Sequence, residues 1–396
     1  MLLTILLGML PFIMVLGNSM LIPILPNIEQ ALHISPTEST LILTMFNIPA
    51  AFIIPIVGFF SDRFGRKILI LISLFFIFVG GAICFYSGFL KPKSAFYVLL
   101  VGRFLQGLGT GGTTPLAMAL IGDIFAEEVR AKKLAIIEVF NGSAKVLAPI
   151  FGAMLALVSW FFPFFVFPIL SLILIIGIHI SIKKASQGKN LVNFSEYVLK
   201  IKEVMWTKKS LLLSVYLFGS VGLFLLFGML YYLSYQIEVI FKIDGFFKGF
   251  VFSFPLGALT ISSYWTGKRV KSQNNYFSTY IKIGFLLMFF SFFMMIFFHS
   301  FSLFLFFITI GFGGLGFVLP TLNLLITSSV SDAERGIVVS LYGIARFLGV
   351  AFGPILFSIF LENQNLLFVI SFLLLLLSQL FVLKSLKNGF ELVKYV

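Results

Sequence analysis

A short polar segment between two long apolar runs reads GFFSDRFGRK, from residue 58 to residue 67. Four of these residues are charged, in a chain that is 60% hydrophobic and only 11% charged. Charged side chains are costly at the centre of a bilayer, so the segment must leave the hydrocarbon. Arg63, Arg66 and Lys67 predict the cytoplasmic side, because cytoplasmic loops carry an excess of basic residues. Gly65 permits a tight reversal. The segment therefore predicts a cytoplasmic turn between two membrane-spanning helices.

The composition predicts that most of the chain is dissolved in lipid. Phenylalanine contributes 53 residues, and the mean hydropathy is +1.10. The net charge of +13 does not indicate nucleic-acid binding, because the charges lie in short loops between apolar runs. The single cysteine, Cys84, excludes an intrachain disulfide. The apolar N-terminus lacks a basic leader and a small-residue cleavage site, so we expect it to be the first membrane helix.

Twelve apolar runs reach the length of roughly 20 residues that a membrane-spanning helix needs. Helices are expected because backbone groups in lipid must be paired internally. The predicted spans are 3–26, 38–60, 68–89, 95–124, 133–157, 159–182, 210–236, 246–266, 276–298, 302–330, 335–361 and 365–383. The predicted fold class is thus an all-α membrane protein with twelve transmembrane helices.

The spans form two sets of six on either side of a basic segment. The predicted domains are an N-terminal bundle (1–182), a cytoplasmic central loop with seven lysines (183–209) and a C-terminal bundle with a short tail (210–396). If both termini are cytoplasmic, 20 of the 28 Lys and Arg residues lie on the cytoplasmic side. Only four lie in external loops, and Lys248 is one of these four. This bias predicts a multi-pass protein of the cytoplasmic membrane with both termini inside.

The two halves resemble each other in sequence. Residues 141–147 align with 342–348, and without a gap Phe151-Gly152 then matches Phe352-Gly353. In spans four and ten, three glycines match three others: Gly107, Gly109 and Gly112 with Gly311, Gly313 and Gly316. The repeat predicts two homologous six-helix bundles.

Residues 58–67 closely resemble the Gly-x-x-x-Asp-Arg-x-Gly-Arg-Lys loop of major facilitator superfamily transporters. The resemblance implies two pseudo-symmetric six-helix bundles with the substrate site between them near the midplane. It also implies that the loop meets an acid at the inner end of span four and latches the two halves in one state. The lack of a side chain at Gly58 would let a neighbouring helix approach closely. The predicted gating residues are Gly58, Asp62, Arg63, Gly65, Arg66, Lys67 and Asp123.

Arg103 begins RFLQGLG, which resembles a span-four motif of the same superfamily. The resemblance implies a part in proton coupling. The alternative is an arginine whose long side chain reaches the outer membrane surface.

Span five carries a second group of unusual residues. Glu138, Lys145, Pro149 and Gly152 share one narrow arc of the helix, because spacings of seven and eleven nearly complete whole turns. Glu138 and Lys145 are proton-coupling candidates, although Glu138 near the inner end could equally pair with a loop cation. Residues 148–153 look like the exporter-type Gly-Pro-x-x-Gly-Gly motif, with alanine at two glycine positions. Span eleven has a second partial copy at Gly353-Pro354, and bending or close packing accounts for such residues equally well.

In the resembling fold, spans one, four, seven and ten line the substrate cavity. The cavity candidates are Asn18, Gln106, Thr110, Thr114, Tyr231, Tyr232, Tyr235 and Asn323, with Arg346 added from span eleven. This aromatic wall suits lipophilic substrates, and Arg103, Lys145 and Arg346 favour an anionic compound if they face the cavity.

The sequence predicts a secondary active transporter rather than an enzyme. It has no His/Glu metal spacing, phosphate loop or nucleotide-binding cassette, and its three histidines are scattered. The predicted activity is efflux of a small lipophilic or drug-like compound by alternating access and proton antiport. The alternative is a proton-coupled or facilitative importer of a sugar or organic anion. We expect no cofactor or metal beyond the proton gradient, and partners limited to the small-molecule substrate, protons and the lipid bilayer around a functional monomer.

Overall fold

Long helices form from the long apolar runs. The computed structural model describes residues 2–125, 127–182, 194–269, 276–330 and 332–393, and none of these residues lies in a β-strand. The predicted all-α class is confirmed. The helices before the central segment are α1 (Leu2–Ser19), α2 (Leu25–Leu32), α3 (Pro36–Phe64), α4 (Arg66–Ser87), α5 (Pro92–Thr110), α6 (Thr113–Ile124), α7 (Glu127–Ala156) and α8 (Val166–Ser181). The later helices are α9 (Phe194–Thr207), α10 (Lys209–Tyr235), α11 (Gly245–Arg269), α12 (Tyr276–Met295), α13 (Phe301–Ser328), α14 (Asp332–Ile359) and α15 (Gln364–Val393).

Local sequence sets the start of α3. The Ser35 hydroxyl accepts a hydrogen bond from the Glu38 amide, and the Glu38 carboxylate accepts one from the Ser35 amide at 2.8 Å. This reciprocal capping satisfies two backbone donors that a helix N-terminus otherwise leaves unpaired. Pro36 at the first helical position is compatible with the same arrangement. The second span therefore begins where its polar flanking residues predict.

Eleven stretches of helix among the described residues are long and apolar enough to cross a membrane. Large apolar side chains such as Phe52, Phe75 and Ile180 are more than half exposed, which suits contact with lipid. The remaining predicted span, 95–124, is not one helix: α5 and α6 meet at a turn at Gly111 and Gly112. A Cβ at Gly111 would lie 2.7 Å from the Ala50 carbonyl oxygen, so the break lies where the chain passes close to α3.

The predicted central loop contains a helix that the sequence analysis missed. Within 183–209, α9 spans Phe194–Thr207, whereas 183–193 lie outside the described residues. Val204 is buried and Trp206 is 81% exposed, so the helix has an apolar buried side and an open side. At 14 residues the helix is too short to span the membrane, and the cytoplasmic location of the segment stays a prediction.

The helices group into two compact units. Unit 1 holds the described residues up to 182 together with Ser234–Ser253, and unit 2 holds those from 194 to Leu233 and from Phe254 onward. The predicted domain boundaries at 182 and 210 stay a prediction.

The same kind of helix crossing occurs in both units. In unit 1, a Cβ at Gly80 of α4 would lie 2.6 Å from the Gly102 carbonyl oxygen of α5. In unit 2, a Cβ at Gly284 of α12 would lie 2.6 Å from the Gly314 carbonyl oxygen of α13. Small residues let membrane helices approach this closely. The pair of crossings supports the internal repeat inferred from sequence.

Candidate functional site

The turn between α3 and α4 has the backbone geometry that its glycine predicts. Gly65 has φ of 91°, a region that other residues rarely adopt. Arg66, the next residue, forms an ion pair with Asp62 at 2.6 Å and contacts Asp123 of α6 at 3.4 Å between Nε and Oδ2. Its guanidinium also donates to the Ser61 hydroxyl. The structure therefore brings together the loop and the acid at the end of α6.

Other residues of the loop have separate contacts. The Lys67 ammonium donates to the carbonyl oxygens of His179, at 2.9 Å, and Ile182 at the C-terminus of α8. A cation suits this position because helix C-termini carry partial negative charge. The Arg63 guanidinium lies 5.3 Å from the centre of the Phe59 ring. All of these contacts lie within unit 1, and latching of the two halves stays a prediction.

The close helix approach predicted at Gly58 is not present in this structure. A Cβ built at Gly58 would have no neighbouring heavy atom within 4 Å. The residue lies in the last turns of α3, where the helix has no packed neighbour on that side. An alanine would therefore fit at this position.

We expect Asp123→Asn to change transport more than stability. The Asp123 side chain is 38% exposed and that of Arg66 is 19% exposed, and such ion pairs contribute about 1 kcal/mol or less. A gating contact biases a conformational equilibrium, so its loss should change the transport rate severalfold. Thermal unfolding and transport by the purified variant would be compared, with Glu362→Gln as the exposed-carboxylate control. Equal changes for both variants would contradict the gating role.

Arg103 is fully buried, so the prediction of an arginine reaching the outer surface is wrong. Its Nε donates to the Ile42 carbonyl oxygen at 3.0 Å, and Nη2 donates to that of Gly17 at 2.7 Å. Nη1 donates to the Gln106 side chain at 2.7 Å, and the guanidinium lies 4.2 Å from the centre of the Phe46 ring. The guanidinium thus ties α1, α3 and α5 together. Its part in proton coupling stays a prediction.

Three cavity candidates of unit 1, Asn18, Gln106 and Thr110, are packed rather than open. Asn18 exchanges hydrogen bonds of 2.8 and 2.9 Å with Asn47, a residue of α3 that the sequence analysis missed. Gln106 and Thr110 are at most 1% exposed. The Gln106 amide nitrogen has no hydrogen-bond partner among the described residues. Their role in substrate binding stays a prediction.

The two ionisable candidates of α7 differ in burial. Glu138 is exposed and accepts a hydrogen bond from the Asn141 amide at 3.3 Å. Across the described residues it has no ion pair within 4 Å, so neither predicted loop lysine, Lys132 or Lys133, pairs with it here. Lys145 is half-buried. Their coupling role stays a prediction.

The exporter-type motif lies at two close contacts. A Cβ at Gly152 would lie 2.9 Å from the Met20 carbonyl carbon, and still nearer to its oxygen. On α11, a Cβ at Gly249 would lie 2.7 Å from the Pro149 carbonyl oxygen. The motif therefore serves close packing on both sides of α7 within unit 1, in agreement with the packing interpretation.

The second copy of the motif packs in the same way in unit 2. A Cβ at Gly353 would lie 3.0 Å from the Phe224 carbonyl carbon of α10, and Pro354 beside it is buried. Span eleven thus contacts span seven as span five contacts the end of span one, which again supports the repeat.

The remaining cavity candidates have mixed surroundings. Tyr231 and Tyr232 are both 1% exposed, and Tyr232 packs edge-on against Phe304 with ring centres 5.3 Å apart. Tyr235 is half-buried and Asn323 is exposed. Arg346 is half-buried on α14.

A buried polar cluster formed by Asn27, Glu238 and Lys248 was not predicted. The Lys248 side chain is 0% exposed and forms an ion pair with Glu238, which is 12% exposed. Asn27 of α2 accepts from Lys248 at 3.1 Å and donates to Glu238 at 3.1 Å. The assignment of Lys248 to an external loop is therefore wrong, because it lies in the first turn of α11. The one feature of the sequence that could have indicated this cluster is a lysine close to the start of an apolar run.

Two similar helical halves, membrane-length helices and a charged turn packed on α6 define a multi-pass membrane transporter. The Major Facilitator Superfamily profile matches residues 7–354. The chain therefore belongs to the major facilitator superfamily and is a transporter, not an enzyme.

Individual relatives agree with this assignment. The chain is 37% identical over 364 residues to the bacillibactin exporter of Bacillus subtilis (strain 168), covering 91% of this chain and 90% of that protein. Multidrug resistance protein 1 of the same organism is 34% identical over 154 residues, 39% of this chain and 38% of that protein. The fold is similar to that of the human organic anion transporter MFSD10, with a TM-score of 0.71 at 17% identity over 96% of this chain and 99% of that one.

Proposed function

We propose that this chain exports a small lipophilic or drug-like compound across the cytoplasmic membrane by alternating access and proton antiport. The observation that carries export is the similarity to the bacillibactin exporter along nine-tenths of both chains. The partial match to a multidrug resistance protein supports the same direction. Likeness to a D-xylose–proton symporter at 14% identity concerns the fold alone and does not favour import.

The packing of α7 supports an exporter. Pro149 and Gly152 carry the exporter-type motif, and both lie where other backbone segments approach α7 closely. A helix held on two sides moves as one body with its neighbours, which suits alternating access by rigid bundles. The contact of Arg66 with Asp123 supplies a bond that can form in one state and break in another.

Proton coupling rests on Arg103, Glu138 and Lys145. Glu138 is exposed on α7, and it forms no ion pair within 4 Å among the described residues. Lys145 lies seven residues further along the helix, roughly 10 Å away. We propose that Glu138 carries the proton and that the protein works as a monomer, with both termini cytoplasmic and no cofactor besides the proton gradient.

The test uses purified protein in proteoliposomes with an acidic lumen. Bacillibactin, a compound that a relative exports, should accumulate inside while protons leave, and nigericin should abolish the accumulation by collapsing the pH difference. Glu138→Gln should lose most of the pH-driven accumulation, whereas Glu362→Gln should retain it. Accumulation that is insensitive to nigericin would contradict proton antiport, and no transport of bacillibactin would contradict the proposed export.

A further inference from the structure

Arg346 is a cation in the middle of a membrane-length helix, and it forms no ion pair with any acid among the described residues. The nearest acids in the sequence are Glu334 on α14, twelve residues before it, and Glu362 beyond the end of α14, sixteen residues after it. At 1.5 Å per residue Glu334 lies roughly 18 Å away. The sequence has no Asp or Glu between 245 and 331, which covers most of α11 and all of α12 and α13. Ionisable groups at such depth are expensive and usually functional.

The Arg346 guanidinium also has an unused donor. Its Nε is buried and has no hydrogen-bond partner in the part of the chain that the structure describes. Arg103 provides the contrast, since its Nε, Nη1 and Nη2 all donate to oxygen atoms of unit 1. Arg103 is thus satisfied by the fold, whereas Arg346 keeps a directed donor that the fold does not use. A buried donor without a partner is costly unless a ligand supplies one.

A second unused polar group lies one turn before Arg346. Tyr342 is 2% exposed, and its hydroxyl likewise has no hydrogen-bond partner among the described residues. The Arg346 guanidinium carbon lies 5.5 Å from the centre of the Tyr342 ring. The two groups therefore form one site on the same face of α14.

The fold holds the Tyr342 ring in place from α10. Tyr216 stacks on it with ring centres 5.9 Å apart and an angle of 24°. The Tyr216 hydroxyl is already used, because it donates to the Val338 carbonyl oxygen at 3.0 Å. Gly219 leaves room for the ring, since a Cβ there would lie 3.0 Å from the Tyr342 hydroxyl oxygen. The ring is thus held in place by α10, and its buried hydroxyl has no hydrogen-bond partner among the described residues.

We infer that Arg346 and Tyr342 bind an anionic group, a carboxylate or a phenolate, on an aromatic or lipophilic substrate. The Arg346 Nε–H and the Tyr342 O–H would both donate to its oxygens, and charge-assisted bonds of this kind are the strong ones. The anion would also supply a counter-charge to Arg346, which has no ion pair among the described residues. The inference rests on the proposed export function and names its substrate class.

The test measures binding of three naphthalene probes to purified protein in nanodiscs. 2-Naphthoate, 2-naphthamide and 2-naphthylmethylammonium share one ring system and differ in charge. The wild type should bind naphthoate about tenfold or more tightly than the amide and the ammonium. Arg346→Met should remove this preference, and Tyr342→Phe should weaken naphthoate binding severalfold. Lys282→Gln removes an exposed cation from α12 and should leave binding unchanged.

Thermal unfolding separates a binding role from a structural one. Because Arg346 lacks a counter-charge, the ligand-free Arg346→Met protein should unfold at the same temperature as the wild type or higher. Arg346→Lys is the second variant, for use if Arg346→Met fails to fold. It keeps the charge but moves the donor, so it should retain only part of the preference for naphthoate. Equal binding of the acid and the amide by the wild type, or no binding of naphthoate, would overturn the inference. Efflux measured in parallel distinguishes the two claims: efflux without anion preference contradicts this site only, and anion binding without efflux contradicts the export function only.

Discussion

Replacing Glu238 with glutamine is expected to lower the free energy of unfolding by about 3–5 kcal/mol, because the buried Lys248 loses its counter-charge. The Lys248 side chain is 0% exposed, and its ammonium has Glu238 and Asn27 as hydrogen-bond partners. A buried ammonium that loses its carboxylate partner keeps the cost of desolvation without the compensating ion pair. The shift should be visible as a lower unfolding temperature and a lower yield of folded protein in detergent.

A double-mutant cycle shows whether the loss belongs to the pair. Glu238→Gln with Lys248→Met removes both charges, so most of the stability should return. Lys242→Met is the matched control, since Lys242 lies nearby in the chain but is exposed, and its replacement should cost about 0.5 kcal/mol or less. A double variant as unstable as Glu238→Gln alone would show that the ion pair is not the cause.

Hydropathy and length predicted the helices well because a spanning helix needs a long apolar run and has few alternatives in lipid. The break between α5 and α6 and the presence of α9 were not predicted, and they share a reason. The turn at Gly111 and Gly112 interrupts an apolar run, and α9 occupies a polar stretch. In both places, packing against other helices outweighs the local composition.

The charged turn at 58–67 was predictable because its glycine, its charged residues and the motif it shares with the superfamily all lie within ten residues. Gly65 and Arg66 behave as predicted. The cluster of Asn27, Glu238 and Lys248 could not be predicted from the sequence, because its members are up to 221 residues apart. Long-range polar contacts depend on how helices pack, and a single sequence carries no direct signal of that packing.

The burial of Arg103 shows a similar limit. Its sequence position near the start of a span allowed a side chain directed outward, but the structure directs it inward to carbonyl oxygens of α1 and α3. Residue type and depth identify a costly group, whereas its partners depend on the neighbouring helices.

Gly152→Ala is expected to destabilise the protein by about 1–3 kcal/mol, the usual cost of overpacking. A Cβ at this position would lie 2.9 Å from the Met20 carbonyl carbon and 2.8 Å from the Met20 Cγ. The side-chain atom can move, but the backbone can yield only by shifting one segment against α7. The unfolding temperature of the purified variant measures the effect, and pH-driven accumulation of bacillibactin should fall with it.

Gly58→Ala is the matched control, because it makes the same chemical change in a helix with open space around it. With no neighbouring atom within 4 Å, alanine should raise stability by up to about 1 kcal/mol through its higher helix propensity. A loss of stability in Gly152→Ala together with a gain in Gly58→Ala would show that close backbone contact is what requires glycine at residue 152. Destabilisation by Gly58→Ala would contradict the open surroundings of that residue, and equal stability of Gly152→Ala and the wild type would contradict the close contact at Met20.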